Sequence, residues 1–254
     1  MGVATLVLVP PRHHRTVDRV TAILDAVAPV PQGLTLATLA DRLDAPKSSI
    51  HELVNGLLAT GYLIEHEHRI SLGPAPFVLT LSGNRLAAQE VDRDLLPRIH
   101  EAVECSVLIG IQVGMSLVYI DQIGEEPALE FAARNHSRRS LYGTASGKVI
   151  LADLPGREMD ALLHSASSAD RAEVDRFLAE LPEIRATGLA YNLGSTIPNV
   201  YSVATALRSP DGTLVGAVCA VGREELRESL PDIGRRIQSL LGSRDATPRS
   251  AERR

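Results

Sequence analysis

Apolar residues recur at helical spacing from the first third of the chain onward. Val17, Val20, Ile23, Leu24 and Val27 share one face and predict a helix. Thr16 is placed to cap its start, and Pro29 and Pro31 stop it. Thr35 then caps a second short helix with Leu36, Leu39, Ala40 and Leu43 inward. Asp44-Ala45-Pro46 makes a tight break, with Pro46 suited to a first helical turn. In a third helix Ile50, Leu53, Val54, Leu57 and Leu58 form one apolar stripe, with Lys47, Ser48, His51, Glu52 and Asn55 opposite. Gly61 is a natural helix end. Residues 62–72 then predict a two-stranded ribbon with His66-Glu67-His68 near its tip. This order describes a winged helix-turn-helix, whose third helix can enter a DNA major groove. A small amphipathic bundle with no DNA role has the same periodicity, so the pattern alone leaves both open.

Residues 1–14 read as a loose arm, and 74–92 as a helical linker in which Ser82-Gly83-Asn84 interrupts the run begun by Phe77, Val78 and Leu81. A helix is predicted over 95–104, and the period then becomes strand-like. Strands are predicted at 105–113, 117–123 and 129–133, the first two joined by Gly114-Met115-Ser116. An arginine-containing loop covers 134–139, followed by helices at 144–154, 156–164 and 168–181. Further strands are predicted at 189–192, 200–208 and 213–221, with Ser209-Pro210-Asp211-Gly212 as the turn between the last two. A helix over 224–241 closes the domain, and 243–254 reads as a disordered tail. Strands and helices without regular alternation predict an α+β fold with helices on the faces of a sheet. The domains expected are 15–73 for DNA binding and 93–242 for a small-molecule pocket.

Composition narrows the function. The 254 residues are 44% hydrophobic and carry a net charge of −5, which gives no support to bulk nucleic-acid attraction. Up to Leu72 six basic residues face seven acidic ones. No apolar run reaches the roughly 18 residues of a membrane span. Two cysteines, Cys105 and Cys219, make no disulfide scaffold, and a reducing cytoplasm fits best. Enzyme motifs fail one at a time. A phosphate loop at Gly143–Lys148 would need Gly at Tyr142 and Ser or Thr at Val149. A nucleophile elbow around Ser146 would need glycines where Thr144 and Lys148 stand. A zinc helix from His51-Glu52 would need His at Asn55. His66 and His68 are two ligands without a third. No catalytic constellation, cofactor site or metal site is predicted.

Two stretches carry a resemblance. One is Leu36-Ala37-Thr38-Leu39-Ala40-Asp41-Arg42-Leu43, then Pro46-Lys47-Ser48-Ser49-Ile50-His51 and Gly61-Tyr62-Leu63. The other is Leu141-Tyr142-Gly143-Thr144-Ala145-Ser146-Gly147-Lys148 with Leu151-Ala152, then Thr187-Gly188-Leu189-Ala190 and Asp211-Gly212-Thr213-Leu214-Val215-Gly216-Ala217. Over about residues 15–242 the chain resembles the IclR family of bacterial transcription regulators.

The resemblance implies an N-terminal winged helix-turn-helix, a helical linker and a C-terminal GAF-like effector-binding domain. It implies a homodimer or dimer of dimers, a duplex DNA operator, and a small organic-acid or aromatic effector, with repression the commoner role. On the DNA side the residues expected are Lys47, Ser48, Ser49, His51 and Asn55, with Arg69 on the ribbon and Arg19 on the first helix. Around the effector they are Ala145, Ser146, Asn192, Ser202, Cys219 and Val221. Free N–H groups and the helix dipole near Ala145 and Ser146 suit a carboxylate. Asn192 stands where the family often has an acid, Val221 makes the pocket greasier, and Glu52 follows His51 where a basic residue is common. The alternative is a ligand sensor whose N-terminal module binds a protein partner.

Overall fold

The computed structural model describes residues 14–82, 94–125 and 137–242. The chain divides into two compact units with a boundary near residue 86.

In the first unit, α1 (Arg15–Val27), α2 (Leu36–Arg42) and α3 (Lys47–Ala59) precede β1 (Leu63–His66), β2 (Arg69–Leu72) and α4 (Ala75–Ser82). Ile23, Val27, Leu39, Ile50, Val54, Leu57, Leu63 and Ile70 meet in its core, and the helical ones among them are residues that periodicity placed inward. Thr35 caps α2 by accepting from the Thr38 N–H. Thr16 does not cap α1. The helix starts at Arg15, with His14 at the cap position and no side-chain bond there. The expected end of α3 is present. Gly61 has φ +75, its N–H reaches the Leu58 carbonyl and the Tyr62 N–H reaches Leu57. That left-handed closure redirects the chain into the ribbon. The ribbon turns through Glu67 and His68, whose φ angles of 49 and 59 match the twist a two-residue hairpin needs.

The second unit is a six-stranded antiparallel sheet in the order β5-β4-β3-β8-β7-β6. Its strands are β3 (Ser106–Val113), β4 (Ser116–Ile123), β5 (Arg138–Ser140), β6 (Leu189–Leu193), β7 (Tyr201–Arg208) and β8 (Leu214–Gly222). One face packs on α5 (Leu95–Val103) and α9 (Leu230–Gly242) through Leu95, Ile99, Val203, Val218, Ile233 and Ile237. The other packs on α6 (Ala145–Asp153), α7 (Gly156–Ser165) and α8 (Arg171–Thr187) through Leu117, Tyr119, Ile150, Phe177, Ala204 and Cys219. Both faces being covered explains the continuous apolar runs of β7 and β8.

Three expectations change. The helix predicted to end at 181 runs through Pro182 to Thr187. The carbonyl that Pro182 leaves unpaired belongs to Leu178, which is 43% exposed, so water can take it. The predicted single helix over 224–241 is a 3-10 turn at Glu224–Leu226 and then α9, because Pro231 has no N–H to give the Arg227 carbonyl and fits only the first turn of a helix. The arginine-containing loop ends as the edge strand β5, which pairs with β4. The strand predicted at 129–133, most of the arm, the end of the linker and the tail lie outside the described residues.

Candidate DNA interface and effector site

Helix α3 buries Ile50, Val54 and Leu57 and exposes Lys47, Ser48, His51, Glu52 and Asn55. The polar face therefore carries four of the five α3 side chains expected at DNA, on one side of one helix. Ser49 is half-buried, its hydroxyl accepting from Arg19 Nη1 at 2.9 Å. This bond ties the start of α3 to α1. Asn55 Nδ2 lies 3.4 Å from His51 Nδ1, so the amide donates to the ring and leaves the proton of a neutral imidazole on Nε2. Arg69 is exposed on β2 and spends one N–H on the Gly33 carbonyl at 3.2 Å. Its remaining donors stay available.

Two shallow clefts flank the start of α3. One, about 380 Å³, is lined by Arg15, Asp18, Arg19, Ala22, Leu43, Ala45 and Ile50. The other, about 330 Å³, is lined by Arg15, Thr16, Arg19, Ser49, Glu52 and Leu53. Arg15 joins both, so α1 presents two guanidinium groups beside Ser49. Arg15 was not among the residues expected at DNA, because reading Thr16 as the cap left it outside the predicted helix, whereas α1 starts at Arg15. Among the described residues no three His, Cys, Asp or Glu side chains gather as a metal site. His66 and His68 stand exposed at the ribbon turn.

In the second unit the six residues expected around an effector do come together on the α6 side of the sheet. Ala145 and Ser146 open α6, whose first turn is capped by Thr144 Oγ1 accepting from the Gly147 N–H at 3.1 Å. Ser202, Cys219 and Val221 lie on β7 and β8 below it, and Ser202 pairs directly with Val221. All six are buried, none more than 8% exposed. Asn192 takes a different part from the one expected. Its amide donates to the Gly143 carbonyl and to Thr196 Oγ1, each at 2.8 Å, and its oxygen accepts from the Ser195 N–H at 3.0 Å. It therefore latches the loop after β6 to the residue before the α6 cap, with its hydrogen-bonding capacity spent.

Tyr119, on β4, lies beside Ser146 and Cys219 and was not among the residues expected there. It is 3% exposed and belongs to the same core. Burial pushes its phenol well above the usual range and pushes the Cys219 thiol up to about 11, with Ser146, Ser202 and Tyr119 as the polar neighbours of that sulfur. Burial likewise raises Cys105 to about 11. Both thiols are protonated at neutral pH and neither is an activated nucleophile. Lys148, 2% exposed, donates to Glu180 Oε2 at 2.6 Å and to the Tyr191 carbonyl at 2.9 Å. Its charge is neutralised inside the fold and fastens α6 to α8 and β6.

Residues 16–65 match the IclR helix-turn-helix domain, and residues 84–231 match the domain described as bacterial transcriptional regulator IclR C-terminal. The chain is 27% identical over 203 residues to the HTH-type transcriptional regulator TtgV of Pseudomonas putida, covering 76% of each protein. Its fold is similar to that of an IclR family transcriptional regulator from Brucella abortus, with TM-score 0.68, 20% identity and coverage of 95% of this chain and 97% of that one. It is also similar to an IclR homolog from Microbacterium hydrocarbonoxydans solved with 4-hydroxybenzoate, with TM-score 0.64, 18% identity and coverage of 90% and 99%. With a helix-turn-helix unit that exposes the polar face of its third helix, followed by an α+β sensory unit, the chain belongs to the IclR family of bacterial transcriptional regulators.

Proposed function

We propose that this regulator is a repressor that grips its operator through α3 and releases it when a small organic acid or aromatic metabolite inserts between Ser146 and the sheet. The observation that carries the reading is the division of α3: Ile50, Val54 and Leu57 are buried while Lys47, Ser48, His51 and Asn55 face solvent. Asn55 suits an adenine edge and Lys47 a phosphate or guanine. Arg15, Arg19 and Arg69 add phosphate contacts, which set register without reading sequence. The 4-hydroxybenzoate in the Microbacterium protein supports an aromatic acid as one class of effector. The site binds this metabolite without turning it over.

A second copy of the chain completes the reading head. Phe77, Val78, Leu79 and Leu81 on α4 are 64%, 53%, 56% and 67% exposed, an apolar surface that supports burial in a homodimer. Two α3 helices then read two half-sites. No helix among the described residues is long and apolar enough to cross a membrane, and the proposed site of action is the cytoplasm.

The test is a nuclease footprint on DNA flanking the gene. Wild-type protein protects a two-part site, and Lys47→Ala with Asn55→Ala abolishes protection while circular dichroism stays unchanged. Retained protection by the double variant removes α3 from the interface.

A further inference from the structure

Helix α3 carries one acidic side chain, and the fold makes no use of it. Glu52 is exposed on the face that also presents Lys47, Ser48, His51 and Asn55. Among the described residues its carboxylate has no hydrogen bond and no ion pair. Its neighbours one turn away are Ser48 and Gly56, so no cation on the helix offsets its charge. It stands beyond the first turn, where the helix dipole no longer favours an acid. A Cβ at Gly56 would meet nothing within 4 Å, so the helix flank beside Glu52 is open. Glu52 shares a cleft of about 330 Å³ with Arg15 and Arg19. Neither forms an ion pair with it, and Arg19 donates instead to Ser49 Oγ at 2.9 Å.

The rest of the face is built of groups that can donate. Lys47 has donors alone, and His51, whose Nδ1 accepts from Asn55, offers its Nε2–H. Ser48 and Asn55 can donate and accept. Glu52 can only accept. In the major groove guanine and thymine present acceptors, and adenine sets an acceptor beside its amino group. Cytosine presents its amino group alone. A carboxylate is therefore matched by cytosine and opposed by the other bases. Phosphates repel it as well, so its charge weakens binding to any duplex that lacks the matching base.

We propose that Glu52 is a specificity-determining residue of the reading head, selecting one cytosine in each half-site and disfavouring every other duplex. Lys47, Arg15 and Arg19 hold DNA of any sequence, and Glu52 works against that general grip. The amino group of cytosine turns the same carboxylate into a hydrogen-bonded contact. This rests on the reading of α3 as the DNA-facing helix, and it adds the base that the helix selects.

The experiment selects from a duplex pool with a randomised centre of about 20 base pairs, room for two half-sites one helical turn apart. Full-length wild type, Glu52→Ala and Glu52→Gln are each used, and the affinity of each for the unselected pool is measured. Wild type fixes a C·G pair at one position of each half-site. Glu52→Ala releases that position to all four bases, removing a preference of about tenfold or more. It also binds the unselected pool more tightly than wild type. Glu52→Gln shares the gain on the pool, because the charge is gone, and keeps part of the cytosine preference through its amide oxygen. Both variants melt with the wild type. Glu52→Ala that selects the wild-type sequences with equal stringency, or that binds the pool no more tightly, overturns the proposal while leaving α3 at the DNA. A released position that wild type fixes as A·T also overturns it, as does a lowered melting temperature in both variants. A wild type that enriches no sequence counts against the proposal and the DNA-facing reading together.

Discussion

At the scale of single residues, Lys148 and Glu180 show how unequal the two halves of an ion pair can be. Lys148 is enclosed, whereas the Glu180 side chain is 35% exposed. Removing the carboxylate strands an ammonium in the interior, which costs roughly 3–5 kcal/mol. Removing the ammonium leaves a carboxylate that water reaches. Glu180→Leu therefore lowers the urea midpoint more than Lys148→Met, and the double variant costs less than the two singles combined. Equal losses from the two singles would mean that Glu180 is as enclosed as its partner. Cys219 and Ser146 teach a related lesson. The burial of Cys219 was readable from the apolar run of its strand, but the orphaned Ser146 hydroxyl and the phenol beside it were not. Periodicity assigns a side chain to a face and says nothing about which neighbours across the sheet it will meet.

At the scale of elements, the junction from α3 to the ribbon depends on one backbone conformation. A side chain at position 61 meets only Ala75 Cβ, at 3.8 Å, so space is not the obstacle. The left-handed φ is, and it costs an L-residue about 1–2 kcal/mol. Gly61→Ala is expected to lower stability by that amount in a denaturant titration; an unchanged midpoint would show that the closing turn can relax. Local signals such as this one, the Thr35 cap and the turn at Ser209-Pro210-Asp211-Gly212 were legible because a few adjacent residues determine them. Elements set by tertiary context were less so. Pro182 reads as a helix stop, yet Val174 and Phe177 before it and Ile184 after it anchor α8 on both sides. The resemblance places Asn192 in the pocket, but its amide is consumed by Gly143, Thr196 and Ser195, two of which lie beyond the strand. Arg15 escaped for a different reason: the first helix was read as capped at Thr16, and it begins one residue earlier.

At the scale of the whole molecule, an acidic chain must hold a polyanion with a few well-placed cations. The net charge is −5, and Glu52 stands on the reading face. Long-range attraction is therefore modest, and on the proposed reading most of the grip comes from direct contacts by Lys47, Arg15, Arg19 and Arg69. In the proposed homodimer an effector in the second unit acts by favouring one arrangement over another, and coupling of about 1–3 kcal/mol changes operator affinity by roughly 5- to 150-fold. Entry beneath Ser146 has to displace packed side chains, since every expected contact there is buried. The salt dependence of duplex binding puts the DNA-facing role of α3 to its most direct test. If four cations per copy neutralise phosphates in a dimer, log K against log salt has a slope near roughly −7. Lys47→Ala then makes it shallower by about two contacts, and a random duplex binds more weakly with the same kind of dependence. A flat salt profile, with no duplex signal at low ionic strength, would contradict the account and identify the N-terminal unit as a module for a protein partner.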